Sequence, residues 1–333
     1  MRTPFPQAGA PVYDQCVRIG LMVGPERRRH AQKVQRLIDD VVAAEQAGFA
    51  TVWIPQVPDD FDAMTAATVT GAQTERIEIG TAVVALQSRH PVALAQQALS
   101  TQAVCEGRFT LGIGPSHHWI IEEMMGLPYE RPAAVVRSYL DVLDAAFAGP
   151  GRVDVENEHF AVHNPLDITD IDTNPVLVAA LGPVMLRLAG ERTDGTILWM
   201  ADERAIGDHI APRINAAAES AGRPTPRIVA GVPVCLCSDS DVDAAGARAD
   251  RILAEAEISP NYQALLDRGD ARNVSDILAA GSEEAVMARL RSFADAGVTD
   301  LSVRVLPIGE GRDELIASSQ RTREFLASIT PEI

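Results

Sequence analysis

Two adjacent histidines, His117 and His118, stand shortly after a glycine-containing apolar run, Arg108–Gly114. Imidazole is the side chain whose charge ordinarily changes near neutral pH, so it can pass a proton to or from a reacting atom. A purely structural role is the alternative for each histidine. Since successive residues of an extended segment point in opposite directions, we assign the catalytic role to His117. Because adjacent residues diverge, the pair is a poor set of metal ligands, and we predict no metal site.

A second candidate is a turn that is able to bind phosphate. Ala180-Leu181-Gly182-Pro183 follows an apolar run and opens a predicted helix. Glycine permits close approach to the backbone, and the first-turn N–H groups of a helix attract anions. We interpret these four residues as a phosphate cradle, and an ordinary strand-to-helix turn is the alternative.

A third candidate is a basic cluster, Arg27-Arg28-Arg29 followed by His30, in an otherwise acidic chain. Arginine presents a fork of hydrogen-bond donors that suits an anionic ligand tail. A solvated helix start is the alternative interpretation. The sequence alone does not decide between the two.

These candidate residues can form one site only if strand ends bring them together. The sequence contains eight short apolar runs that alternate with amphipathic segments. Strands of this type, each followed by a helix, pair in parallel and close into a TIM barrel with its site at the carboxyl ends. The alternative, an open doubly wound sheet, needs a glycine-rich dinucleotide turn that Gly20–Gly24 does not supply. The predicted strands are Cys16–Val23, Ala50–Ile54, Ile77–Leu86, Arg108–Gly114, Pro175–Ala180, Gly195–Met200, Arg227–Cys237 and Asp300–Val305.

Two segments interrupt the alternation, so the predicted fold is an α/β TIM barrel with insertions after strands four and seven. Arg152–His163 is typical of a β-hairpin, and Asp239–Ala280 is predicted to be mostly helical. We expect residues 1–15 to form a flexible N-terminal arm and residues 16–333 to form one domain.

Composition excludes several classes of function. The 333 residues are 47% hydrophobic and carry a formal net charge of −17. Such acidity opposes binding to nucleic acid and to anionic lipid. No run approaches the roughly 20 apolar residues of a membrane span, and the four cysteines lack metal-ligand spacing. A soluble, cytoplasmic protein with reduced thiols is expected.

Several runs, in order, resemble the luciferase-like family, and in particular its F420-dependent oxidoreductase branch. The resemblance spans roughly residues 16 to 305, and the runs are specific together rather than singly. They are Ile79–Val83 with Arg89-His90-Pro91, Glu106–Gly114, Ala179–Pro183 with Ala189-Gly190 and Asp194-Gly195, and Ala294–Val298.

This resemblance implies a flavin or deazaflavin at the barrel mouth and a non-prolyl cis peptide at Ala82–Val83. The implied cofactor-binding residues are Ala82, Val83, Ser116, Ala180, Leu181, Gly182 and Pro183, with His117 as the catalytic residue. Many members place an Asp-His pair after strand two. Here that stretch is Ile54–Val57, which argues against the sugar-phosphate dehydrogenase mechanism that uses the histidine.

The expected function is therefore an F420-dependent oxidoreductase that acts on a small organic substrate, as a homodimer. An FMN-dependent monooxygenase on the same barrel is one alternative. A non-catalytic flavin-binding barrel is another. Neither a nucleophile elbow nor a phosphate-binding Walker loop occurs in the sequence, so hydrolase functions have little support.

Overall fold

A computed structural model of the chain describes residues 17–24, 32–253 and 260–330. The predicted arm, Cys16, the Arg27–Arg29 cluster and His30 lie outside these residues. In the described part the strands are β1 (Arg18–Met22), β2 (Thr51–Ile54), β3 (Glu78–Thr81), β4 (Val84–Ala85), β5 (Phe109–Gly114), β6 (Gly151–Glu156), β7 (Ala161–Leu166), β8 (Val176–Val178), β9 (Gly195–Leu198), β10 (Arg227–Leu236), β11 (Ala279–Gly281) and β12 (Asp300–Val305).

Helices follow the strands along the same described residues. Two short segments are π-helical turns. Ile120–Met124 lies before α4, and Ile206–Ile210 lies between α6 and α7. The α-helices are α1 (Lys33–Gln46), α2 (Ala63–Gly71), α3 (Pro91–Val104), α4 (Pro132–Phe147), α5 (Pro183–Arg192), α6 (Glu203–Ala205), α7 (Ala211–Ser220), α8 (Val242–Leu253), α9 (Pro260–Leu266), α10 (Glu283–Asp295) and α11 (Arg312–Ile329). No helix in the described ranges is long and apolar enough to cross a membrane.

Eight of the described strands close into a parallel barrel. They follow the order β1, β2, β3, β5, β8, β9, β10 and β12, and β12 pairs with β1 to complete the ring. Each connection between neighbours in this ring crosses over through at least one helix, as parallel pairing requires. The predicted TIM barrel is confirmed.

Both predicted insertions are present, with one correction. After the fourth barrel strand, β5, come α4 and the antiparallel hairpin of β6 and β7. After the seventh, β10, come α8, α9 and β11. The described part of Asp239–Ala280 is mostly helical, as predicted, but its last two residues belong to β11, which the sequence did not predict. β9 pairs only with Arg227–Ala230 of β10, so β11 covers the edge that Val234–Leu236 would otherwise leave unpaired.

The barrel interior is filled by side chains from alternate strand positions. Trp53, Leu177, Ile197 and Val229 form a buried apolar layer there. The indole of Trp53 fits because residue 80 on β3 is glycine. A Cβ atom at Gly80 would lie 2.3 Å from the Trp53 ring. Side chains therefore fill the interior at the height of this layer.

Below this layer, near the N-terminal ends of the strands, lies a buried network of charged side chains. Arg227 donates to Glu78 and to Asp300, each at 2.8 Å, and Arg18 contacts the same two carboxylates. Thr110 donates to Glu78 at 2.6 Å. Burial alone would raise the pKa of Asp300, but the charges of Arg227 and Arg18 outweigh burial and lower that pKa. The network joins β1, β3, β5, β10 and β12.

We expect Asp300→Asn to lower the free energy of unfolding by about 3–5 kcal/mol, because it removes one of two carboxylates that compensate the buried Arg227. Urea denaturation at pH 7 measures the loss. A carboxylate whose pKa is lowered by folding stabilises the protein above its unfolded-state pKa. The difference between wild type and variant should therefore shrink as the pH falls below about 4.

The matched control is Asp144→Asn. Asp144 accepts from Arg192 at 2.6 Å at the protein surface, and its loss should change the unfolding free energy by less than about 1 kcal/mol. Similar losses in the two variants would contradict a special stabilising role for the buried network.

Candidate active site

The carboxyl ends of the barrel strands form a mouth whose floor is set by glycines on β5. A Cβ atom at Gly112 would lie 1.9 Å from the carbonyl oxygen of Thr81. One at Gly114 would lie 2.9 Å from side-chain carbons of both Val83 and Ala179. No Cβ tolerates such distances, so glycine is what lets the backbone of the third barrel unit lie against β5.

Ala82 and Val83 lie at this point of close approach, between β3 and β4. The peptide bond that joins them is cis, as the sequence resemblance predicted. Both side chains are half-buried and pack on the apolar layer of the barrel interior. We call Ala82, Val83 and Ala179 the apolar platform, because they present small hydrophobic groups at the mouth beside one another.

Two hydrogen bonds hold the start of the loop that follows β5. Ser116 has a left-handed backbone conformation with φ of 59°, and its carbonyl accepts from the Tyr129 hydroxyl at 3.0 Å. The amide of Gln87 donates to the carbonyl of Pro115 at 2.8 Å. The Gln87 contact ties the start of the loop to the third barrel unit, and the Tyr129 contact joins the start of the loop to a later part of the same segment.

His117 follows in this loop as a half-buried residue between two aromatic rings. Its ring stacks on Trp119 with centroids 4.3 Å apart and lies 5.5 Å from the ring of Tyr262, on α9. Burial, with a smaller effect of neighbouring His118, lowers the pKa of His117 below its ordinary value. The imidazole is therefore mostly neutral at pH 7. His118 is exposed, and the two histidines have different surroundings, as their alternation predicts.

The predicted phosphate cradle lies where β8 passes into α5. Ala180 is buried, Leu181 and Gly182 are half-buried, and Pro183 occupies the first helical position. Gly182 is the N-cap, and a Cβ atom there would have no atom within 4 Å. The helix start is thus open on the side that the missing side chain would occupy. The positive end of the helix dipole lies at this opening.

Platform and cradle belong to one continuous surface. Ala179, whose Cβ atom would meet one placed at Gly114, precedes Ala180 directly, and the Ala179 N–H donates to the Ile113 carbonyl at 2.8 Å. The residues predicted for the ring, for the phosphate and for catalysis thus occupy neighbouring strand ends of the same mouth. Their roles stay predictions.

Polar residues after the second and third strands have structural partners. Gln56 accepts the N–H of Ala63 at 2.9 Å, and Asp62 caps α2 by accepting the N–H of Thr65 at 2.9 Å. Asp62 also forms an ion pair with Arg89. These contacts fasten α2 to the barrel, so this corner supplies helix caps in place of an acid–base pair.

Sequence reasoning overlooked three residues near the mouth. Trp199 lies against Gly231, where a Cβ atom would be 2.6 Å from the indole. Arg304 occupies the inward-facing register of β12, which it shares with Asp300 and Ser302. His209, in the π-helical turn, donates to the carbonyl of Leu181. Alternation along β9 and β12 was the available signal for the first two, and none existed for His209.

Comparison with known proteins shows the family of this chain. Residues 17–300 match the family model described as luciferase-like monooxygenase. The chain belongs to the luciferase-like monooxygenase family. The expectations of this family, of its barrel and of an enzyme of the oxidoreductase class are therefore confirmed.

Individual members with related sequences include reductases and dehydrogenases. The chain is 25% identical over 299 residues to a 5,10-methylenetetrahydromethanopterin reductase of Methanolobus tindarius, covering 82% of this chain and 90% of the relative. It is 26% identical over 298 residues to an F420-dependent glucose-6-phosphate dehydrogenase of Rhodococcus erythropolis, covering 80% and 86%.

A solved structure supports the barrel assignment. The coenzyme F420-dependent tetrahydromethanopterin reductase of Methanopyrus kandleri superposes with a TM-score of 0.72 at 20% identity, covering 96% of this luciferase-like chain and 98% of that one. At this identity the likeness concerns the fold alone.

Proposed function

We propose that this luciferase-like protein is an F420-dependent oxidoreductase that acts on a small organic substrate. The observation that carries the proposal is the continuity of the apolar platform with the open start of α5 at one barrel mouth. The sequence similarity to an F420-dependent dehydrogenase supports the choice of cofactor. When bound, the deazaflavin supplies or accepts a hydride at its C5 atom.

The residues at the mouth fit such a cofactor. A flat tricyclic ring needs small apolar groups beneath it, and Ala82, Val83 and Ala179 are of this kind. A phosphate group needs backbone donors and no side-chain bulk, and the Gly182 turn meets both conditions. Ser116 lies on the neighbouring loop, where we propose that it contacts the cofactor.

The cofactor assignment is tested by titrating the apoprotein with F420 and with FMN under identical conditions, following fluorescence. We expect tighter binding of F420. Hydride transfer without oxygen consumption should then accompany oxidation of the reduced cofactor by a responsive substrate. Tighter FMN binding with oxygen consumption would favour a monooxygenase. Binding with no substrate-dependent redox change would favour a non-catalytic barrel.

Variants at Gly182 provide the control for the same titration. Asp and Asn are both good helix N-caps, and the φ of −90° at this position suits either residue, so both variants should fold. Gly182→Asp places a negative charge where we expect phosphate, and it should weaken binding of either phosphate-bearing cofactor far more than Gly182→Asn. Equal affinities in the two variants would remove this turn from the cofactor site.

We further propose that His117 donates a proton from its imidazole as the substrate is reduced. Because burial lowers its pKa, the charged form is scarce at pH 7 and becomes more abundant as the pH falls. The single-turnover rate of substrate reduction should therefore rise from pH 8 toward pH 5.5. His117→Ala should lower this rate by roughly a hundredfold at the acid end and flatten the profile.

His118→Ala is the control: His118 is the exposed neighbour, so its loss should keep the rate at the acid end, and should move the profile only slightly to higher pH because it removes the smaller of the two effects on the pKa of His117. Cofactor affinity should change little in either variant, since the platform and the cradle lie on other strand ends. A His117→Ala enzyme with the wild-type rate and pH profile would make His117 a structural residue.

We also propose a homodimer that pairs α2 and α3 with their copies. Neither helix contains a charged residue, although the chain has 29 Lys and Arg and 46 Asp and Glu residues. Val69 and Val104 are exposed there, at 37% and 40%. Sedimentation velocity at micromolar concentration should show a dimer for wild type and a monomer for Val69→Glu. Ile316→Glu, on exposed α11, should remain dimeric, and a monomeric wild type would contradict the proposal.

A further inference from the structure

His209 is a buried histidine that the proposed chemistry does not use. It belongs to the π-helical turn Ile206–Ile210, and only 3% of the residue is exposed. Its Nε2 atom lies 2.9 Å from the carbonyl oxygen of Leu181, in the predicted phosphate cradle. A side chain from beyond the sixth barrel strand thus contacts the turn after the fifth.

The contact shows which ring nitrogen carries a hydrogen. A carbonyl oxygen only accepts hydrogen bonds, so Nε2 carries the hydrogen and donates it. Burial, reinforced by Arg268 and Arg213, lowers the pKa of His209 despite the opposing effect of the Leu181 carbonyl. The Nδ1 atom is buried and has no hydrogen-bond partner among the described residues. His209 is therefore a neutral imidazole that donates its one N–H to the Leu181 carbonyl of the cradle.

That bond fixes the orientation of one peptide group. The peptide between Leu181 and Gly182 is trans, since the cis bond of the described residues is that of Ala82–Val83. In a trans peptide the C=O and N–H bonds point in opposite directions. With the Leu181 carbonyl turned toward His209, on the buried side, the Gly182 N–H points away from it. A flipped peptide would present a carbonyl oxygen to the phosphate instead, and would leave the imidazole N–H without an acceptor.

We propose that His209 is a positioning residue for the cofactor phosphate, holding the Leu181–Gly182 peptide with its N–H toward the ligand. The inference rests on the proposed function, because it requires a phosphate at this turn. Glycine at position 182 has no Cβ atom, so its backbone is less restricted than that of any other residue. An external hydrogen bond is thus the means by which this turn keeps one orientation.

The test compares His209→Gln with His209→Asn, two amides that differ by one methylene. A Gln side chain places its NH2 group near the position of the imidazole Nε2, whereas that of Asn is too short to reach the Leu181 carbonyl. Each variant and wild type is titrated with F420 and with the same deazaflavin chromophore lacking the phosphate-bearing tail. His209→Leu, which has no donor, is included as a second loss variant, and thermal unfolding reports whether each variant is folded.

We expect His209→Asn and His209→Leu to weaken F420 binding by about tenfold, the usual value of one hydrogen bond, while His209→Gln stays near wild type. Affinity for the phosphate-free chromophore should stay within about twofold throughout. Two results would overturn the role of His209 and leave the proposed cradle untouched. One is equal F420 affinity in the Gln and Asn variants, and the other is an equal loss of affinity for both ligands. A wild type that does not prefer the phosphate-bearing ligand would instead overturn the cradle, and both proposals with it.

Discussion

The confined interior of the closed barrel is the constraint on which the rest of the structure depends. Side chains from eight strands must share this interior. The size and charge of each inward-facing residue therefore depend on its height along the barrel axis. β12 shows the pattern: Asp300 lies in the ion network, Ser302 in the middle and Arg304 toward the mouth. On β5 the inward positions above Thr110 are Gly112 and Gly114. Where the inward residue is glycine, a neighbouring residue occupies the space: Thr81 and Val83 lie against Gly112, and Val83 and Ala179 lie against Gly114.

This constraint explains which features the sequence predicts well. Strand patterning predicts β12 with the bounds that the structure has, Asp300–Val305. β11 escaped prediction because Ala279–Gly281 has no strand-forming side chains and is extended only through pairing with β10. The turn at Gly182 and the loop at His117 were chosen as candidates because barrel sites lie at strand ends, and their roles stay predictions. His209 was not, because its contact with Leu181 joins residues 28 positions apart through the fold.

Electrostatics at the mouth differs from that of the whole chain. A net charge of −17 would repel an anionic cofactor if it acted uniformly. Over a screening length of about 8 Å at physiological salt, nearby groups count most. Beneath the apolar layer the carboxylates of Glu78 and Asp300 are compensated by Arg18 and Arg227. The groups nearest to the proposed phosphate are the helix start and its backbone donors, so the local field is not that of the average surface.

Burial has different consequences for His117 and His209, two histidines near the mouth. In both, desolvation is the largest cause of a lowered pKa. His209 donates its hydrogen to a carbonyl, and protonation would add a second N–H at the unpartnered Nδ1 atom in a buried site. His117 is only half-buried and contacts rings rather than an acceptor, so it can gain and lose a proton without breaking a hydrogen bond of that kind. The same side chain is therefore suited to hold a backbone group still in one place and to exchange a proton in the other.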